Sequence, residues 1–289
     1  MTDRFAAYCR RKEAAACVAR LPGYITRAET PVEGLVPIGS AWPRALFDGD
    51  FYRCAAPPMP GVPVVSIVFV QSRSGNTVAP DPSVFGGGDT DLHLVYEGLS
   101  RIDADAVMAG ATTARGRELV FSVWHPELVA LRLARGRSRH PAQVIVTDRG
   151  DLRFDEALIF LEPELPVVIL ARSAIVAEIQ RRVGGRSWIQ VIDVGEPISL
   201  ARGMRALRAR GLQVVSCVGG RRTATSLLAE GLITDIYLTT SAIEAGEPNT
   251  PYYAGPPLSL HRVLMKDGTG EEAGVRFEHF VVRSFAGGP

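Results

Sequence analysis

From Val64 onward, short runs rich in β-branched residues alternate with amphipathic stretches of helical period, and this rhythm fixes the fold class. The runs are VVSIVFV (64–70), ADAVMAG (104–110), QVIVTD (143–148), PVVILA (166–171), WIQVIDV (188–194) and QVVSCV (213–218). Each is apolar almost throughout, as expected of a strand covered on both faces. Between them, Asp89 or Thr90 opens a helix whose Leu92, Val95, Leu99 and Ile102 share a face. Ser173 opens another with Ile175, Val176, Ile179 and Val183, stopped by Gly184. Ser199 opens a third with Leu200, Met204 and Leu207, stopped by Gly211. Thr223 opens a fourth with Leu227 and Leu228, stopped by Gly231. The alternation predicts an α/β fold with a mainly parallel sheet and crossover helices. The last segments, DIYLTTSAI (235–243), LSLHRVLMKD (258–267) and GVRFEHFVVRSF (274–285), have no helix between them and predict a C-terminal antiparallel hairpin.

Residues 1–61 differ. One helix is predicted from about Thr2 to Arg20, and prolines and glycines then punctuate the chain as far as APPMPGVP (56–63). We read them as an N-terminal extension ahead of one domain, 62–289. Trp42, Phe47, Phe51 and Tyr52 are expected to pack back on that domain or on a partner subunit. The 289 residues carry a net charge of +1 and are 46% hydrophobic, which excludes disorder and a simple electrostatic nucleic-acid binder. No run reaches the length of a membrane span, and the charged N-terminus has no signal-peptide core. Cys9, Cys17, Cys54 and Cys217 show no metal or disulfide spacing, so a cytoplasmic protein with reduced thiols is expected.

Several chemistries are excluded by absent motifs. There is no G-x-S-x-G elbow and no GxGxxG fingerprint. Lys12 and Lys266 are the only lysines, and neither completes a phosphate loop. His125-Pro126-Glu127 lacks the P-C-x-x-C partner of zinc deaminases, and the five histidines are scattered, so no metal site is expected. Arg132, Arg135, Arg137 and Arg139 with His140 read as a basic loop face. Arg202, Arg205 and Arg208 read as a solvated helix face.

Three segments carry chemistry: a strand running into the polar turn QSRSGNTV, a strand ending at Gly110 before Thr113 and Arg115, and a strand entering Gly219-Gly220 before a helix. In a parallel sheet, ligands sit beyond the carboxyl ends of strands. Gly219 and Gly220 would let a phosphate approach the backbone, the following helix adds its dipole and Thr223, and Arg115 and Arg221 would neutralise charge. A Gly-Gly before a helix is also an ordinary tight turn, and both arginines also read as solvated. What favours the phosphate reading is the occurrence of all three segments in order at matched positions of one sheet.

These segments resemble the pyrimidine reductase family of riboflavin biosynthesis, over about residues 63–282. The family pattern S-x-D-G-K matches Ser72-Arg73-Ser74-Gly75-Asn76. Its L-R-x-x-x-D-A pattern matches Ser100-Arg101 through Asp105-Ala106, Gly110, Thr113 and Arg115. Its E-G-G pattern matches Val218-Gly219-Gly220 through Gly231 and Asp235. The resemblance implies a three-layer, dihydrofolate reductase-like α/β/α fold, a homodimer, a small-molecule substrate and NADPH as hydride donor. It places the cofactor at Gly110, Thr113, Arg115, Gly219, Gly220, Arg221, Arg222 and Thr223. It places the substrate, a ribosylamino-pyrimidine phosphate, at Ser72, Ser74, Asn76, Arg101 and Val218, with Arg101 on the ribose phosphate. Thr147, Arg149, Arg172 and Ser173 are candidates for the cofactor 2′-phosphate by position alone.

The sequence departs from the pattern on the substrate side. Ser74 and Asn76 replace its aspartate and lysine, Val218 replaces its glutamate, and FGGGDTD (85–91) replaces its Ser/Trp-containing covering segment. No side chain stands out as a general acid. Two further readings stay open: an NADPH reductase of another heterocycle or imine, pterins included, and a degenerate reductase fold acting as a binding protein.

Overall fold

The computed structural model describes residues 1–79 and 82–283. Helix α1 (Asp3–Val18) is capped by Thr2, whose hydroxyl accepts from the Phe5 amide. Strand β1 (Tyr24–Glu29) follows, then β2 (Leu35–Ile38), α2 (Ala41–Phe47) and β3 (Phe51–Cys54). Strand β4 (Val64–Gln71) opens the alternating part. A π-helical segment (Thr90–Tyr96) and a short 3₁₀ turn lead to β5 (Ala106–Gly110). Next come α3 (Pro126–Ala134), β6 (Ala142–Thr147), the single turn α4 (Leu158–Leu161), β7 (Val167–Ala171) and α5 (Val176–Val183). They are followed by β8 (Ile189–Asp193), α6 (Leu200–Ala209), β9 (Val214–Cys217) and α7 (Arg221–Ala229). Strands β10 (Asp235–Thr240), β11 (Leu260–Gly268) and β12 (Arg276–Val282) complete the chain.

Ten strands form one sheet in the order β1-β11-β12-β10-β4-β9-β5-β6-β7-β8. The run from β10 to β8 is parallel, and β12, β11 and β1 add antiparallel pairs. The predicted mainly parallel α/β sheet and C-terminal hairpin are therefore what the chain adopts. Side chains alternate across the sheet with the two-residue period of a strand. Val107, Ala109, Ile145 and Ile169 face the π-helical segment and α5. Met108, Val144, Leu170 and Cys217 face α6 and α7.

Four expectations are corrected. The stretch after Thr90 is π-helical, so its wider turn brings Leu94 and Val95 inward and leaves Leu92 exposed. Helix α7 begins at Arg221, with Thr223 inside its first turn rather than at the cap. Residues 1–61 supply an edge strand of the main sheet, β1, and helix α1 buries Phe5 and Tyr8 against Val120, Trp124 and Leu165. The basic loop face is an internal staple. Arg132 is 1% exposed and donates to the carbonyls of Arg101, Ile102, Ala104 and Ser138, while Arg135 pairs with Asp103 and Arg137 with Asp105. His140 is pushed down to about 3 by burial and by Arg139 and Arg132, and stays neutral. The aromatic residues of 1–61 do pack inward. Trp42 stacks on His125 at 4.2 Å, Phe47 contacts Phe277, and Phe51 contacts Tyr237.

Candidate active site

Strands β5 and β9 are parallel neighbours, so the turns that follow them emerge side by side. The Gly110 amide donates to the Gly219 carbonyl at 3.4 Å. A Cβ on Gly110 would lie 3.0 Å from Thr223 Oγ1, and one on Gly219 would lie 3.2 Å from Thr113 Oγ1. Gly220 has φ +83°, where L side chains are strained, and its Cβ would meet Thr223 Oγ1 at 3.3 Å. Gly110, Thr113, Gly219, Gly220 and Thr223 thus form one cradle of bare backbone and hydroxyls. It lies at the N-terminus of the nine-residue α7, where the helix dipole and free amides favour an anion. Arg221, the first residue of α7, has a buried Nη1 with no hydrogen-bond partner among the described residues. Arg115 pairs with Asp151 yet leaves its Nε buried and unpartnered among the described residues. Arg222 is exposed.

The turn after β4 lies at the same end of the sheet, next to β9. Here the polar groups serve one another. Ser72 and Ser74 hydroxyls are 3.1 Å apart, and Asn76 Nδ2 donates to Ser74 Oγ at 2.9 Å. The Asn76 amide donates to Ser72 Oγ at 3.2 Å, and Asn76 Oδ1 accepts from the Thr250 amide at 3.3 Å. Val218 follows β9, but its side chain is 6% exposed and belongs to the apolar core on the π-segment face.

Arg101 does not join these groups. Its guanidinium is 1% exposed, lies 4.4 Å over the Tyr96 ring and donates to the Ser122 carbonyl at 2.7 Å. The next residue back, Phe121, pairs with Gln143 at the start of β6, so Arg101 sits at the amino ends of β5 and β6, opposite the cradle. The 2′-phosphate candidates are engaged elsewhere, except one. Thr147 accepts from the Gly150 amide, Arg172 pairs with Asp148 and Glu196, and Ser173 donates to Asp193. Arg149 is exposed.

A further group was not singled out from the sequence. Asp91, in the π-helical segment, is 8% exposed and accepts from the Thr239 hydroxyl of β10. Burial pushes its carboxyl up to about 7, opposed by the Thr239 hydrogen bond and assisted by the neighbouring Glu272. Glu272 is itself raised, chiefly by burial, and accepts from the Thr90 amide at 2.9 Å. An acid in the first turn of a helix after three glycines was the only available signal, and it says nothing about burial. Among the described residues, no three His, Cys, Asp or Glu side chains gather as a metal site, and no helix is long and apolar enough to cross a membrane.

Comparison with known proteins places this architecture. No curated protein sequence matches the chain. Among solved structures, a pyrimidine reductase-like protein from Corynebacterium diphtheriae aligns with TM-score 0.62 at 20% identity, over 76% of this chain and 92% of that one. RibD of Acinetobacter baumannii aligns with TM-score 0.58 at 13% identity, over 78% of this chain and 59% of that one. The deaminase/5-amino-6-(5-phosphoribosylamino)uracil reductase of Thermotoga maritima gives TM-score 0.54 at 15% identity, over 77% and 57%. At these identities the likeness is one of fold, and the chain spans less than two thirds of the two longer proteins. The sequence model described as the RibD C-terminal domain matches residues 93–272, more than half of the chain. The chain therefore belongs to the RibD C-terminal domain family, the pyrimidine reductases of riboflavin biosynthesis.

Proposed function

We propose that the protein is an NADPH-dependent reductase that delivers hydride to the ribose C1 of a ribosylamino-pyrimidine phosphate, in the ring-opened form in which that carbon is doubly bonded to nitrogen. The observation that carries this reading is the cradle of Gly110, Thr113, Gly219, Gly220 and Thr223. Its glycines let two adjacent turns and the Thr113 and Thr223 hydroxyls approach more closely than a Cβ would allow, and it lies at a helix N-terminus. Those are the features a dinucleotide pyrophosphate needs. The unpartnered Nη1 of Arg221 and Nε of Arg115 suit the same negative charge. NADPH, when bound, supplies the hydride. The chain's own residues hold the pyrophosphate, orient the reacting carbons and exclude water. The exposed Arg149 is our candidate for the 2′-phosphate.

A second reading, reduction of a different heterocyclic imine, is supported by the substrate side. Ser74 and Asn76 satisfy each other, and Val218 is buried in the core, so neither offers a free polar group to a pyrimidine. Calorimetric titration with NADPH tests the common step: saturable binding is expected, and its absence would sink both readings. Turnover of 5-amino-6-(5-phosphoribosylamino)uracil separates them.

A further inference from the structure

The segment FGGGDTD (85–91), where the sequence leaves the family pattern, builds a buried acidic site. A Cβ on Gly87 would come within 2.8 Å of Asp91 Oδ2 and 3.1 Å of Val70 Cγ2, and one on Gly88 would collide with the Glu272 carboxyl group. Glycine lets this loop lie over the two acids without displacing their carboxyl groups. Asp91 Oδ1 accepts from Thr239, and Oδ2 is the oxygen turned toward Gly87. Thr239 and Val70 are register partners, each next to the last residue of its strand. Asp91 therefore stands at the carboxyl end of the β4–β10 pair, close to the Ser72–Asn76 turn and at the cradle's end of the sheet.

The surroundings are unsatisfied. Glu272 Oε2, Thr90 Oγ1 and the Tyr24 hydroxyl of β1 are buried without hydrogen-bond partners among the described residues. Buried polar groups left unmatched cost stability, and they concentrate where function uses them. The titratable groups facing Asp91 are Glu272 from the β11–β12 connection, Tyr24 from β1 and Tyr96 from its own segment. The facing residues of β4 and β10, Val70 and Thr239, do not titrate in the working range.

Reduction of a C=N bond needs a proton as well as a hydride, and position 218 offers no carboxyl group. We propose that Asp91 is the catalytic proton donor of this reduction. The proposal rests on the C=N reductase reading above. Opening of the ribose ring breaks the C1–O bond, carries the N–H proton to the ring oxygen and forms the C=N bond; hydride from NADPH then makes the new C–H bond at C1, and the C=N π pair moves to nitrogen. Nitrogen takes the proton as the Asp91 O–H bond breaks. NADPH leaves as NADP⁺, and the Asp91 carboxylate takes its next proton from water.

The test uses the full chain, NADPH and 5-amino-6-(5-phosphoribosylamino)uracil. Asp91→Asn should lower kcat by roughly a hundredfold or more and remove the fall in kcat on the alkaline side of neutrality. Asp91→Glu should restore part of the rate, and NADPH affinity should stay within about twofold, because Asp91 is outside the cradle. A readout independent of turnover is the infrared difference spectrum between acid and alkaline pH. The wild type should show a buried protonated carboxyl that Asp91→Asn lacks. Thr239→Val, which removes only the hydroxyl, should move the alkaline limb to higher pH, and it serves if Asp91→Asn does not fold. A turning-over wild type whose Asp91→Asn keeps the same kcat and pH profile, or whose Thr239→Val leaves the limb unmoved, overturns the assignment and leaves the reductase reading standing. A wild type that binds NADPH but is inert toward this substrate overturns the substrate reading, and the proton donor with it.

Discussion

Replacing Asp91 by asparagine should change how stability depends on pH, whatever the substrate is. Burial raises this carboxyl from its ordinary 3.8 to about 7 in the folded protein. Below the lower value, both folded and unfolded chains hold the proton, and the group contributes no pH dependence. Between the two values the native state keeps a proton that the unfolded chain has released, so stability falls as pH rises. Above about 7 the loss is complete. Each tenfold change in proton affinity is worth about 1.4 kcal/mol, so the three decades amount to about 4 kcal/mol. Asparagine has the shape of the protonated acid, cannot titrate, and still offers Oδ1 to Thr239. Its stability relative to wild type should therefore climb by about 4 kcal/mol between pH 4 and pH 8. Urea unfolding of both proteins at half-unit pH steps, followed by tryptophan fluorescence, measures the gap. Carboxylates held low by arginine, such as Asp103 and Asp267, contribute alike to both proteins and drop out of the difference. Two stability curves that run parallel across this range would refute the burial argument, and with it the picture of a protonated Asp91 at neutral pH.

Two other substitutions test the structure. Arg132→Met removes four donations from one buried guanidinium and strands the carbonyls of 101, 102, 104 and 138, so urea unfolding should show a loss of about 4 kcal/mol; a loss under about 1 kcal/mol would show the staple to be solvated. Gly110→Val fills the cradle next to Thr223, where even a Cβ lies at 3.0 Å. NADPH titration should then show affinity weakened at least about tenfold, and an unchanged Kd would place the cofactor elsewhere.

Much of the framework was legible because its signals are local. Every predicted strand from 64 to 218 corresponds to an observed one within two residues, since a run such as VVILA can be satisfied only between two apolar layers. The cap at Ser199 holds, its hydroxyl accepting from the Arg202 amide. What escaped depends on partners distant in sequence. β1 is a strand because β11 supplies its ladder about 240 residues later, and YITRAE alone gives alternation without a partner. The π-helical segment buries Leu94 and Val95 among Val68, Val107 and Ile145, partners from three strands that its own sequence does not show. Asp91 reads as an ordinary first-turn acid until Thr239 and Glu272 are seen around it. Gly110, Thr113, Gly219, Gly220 and Thr223 could be grouped from the sequence because they follow adjacent strands, and the fold does bring them together. The place of Arg101 was not legible, because a motif gives an arginine's position in the chain and not the direction its side chain takes.

The arginines show why such directions matter. Near-exclusive use of Arg over Lys reads, from composition, as a set of solvated or phosphate-binding cations. In the fold, several close the irregular path between the π-helical segment and β5. Arg132 gathers three carbonyls of 101–104, Arg53 and Arg135 converge on Asp103, and Arg137 holds Asp105. A lysine ammonium is a single point with three donors, whereas a guanidinium is a rigid fork that can serve several acceptors at once. The path it closes is the one that must be rigid, because β5 leads directly into Gly110 and Thr113. Gly110 is packed so closely that a Cβ there would lie 3.0 Å from Thr223 Oγ1, so the position of the strand's end fixes the dimensions of the cradle. The guanidiniums of this path, with Arg132 buried among them, thus hold the start of the strand whose far end carries the candidate site.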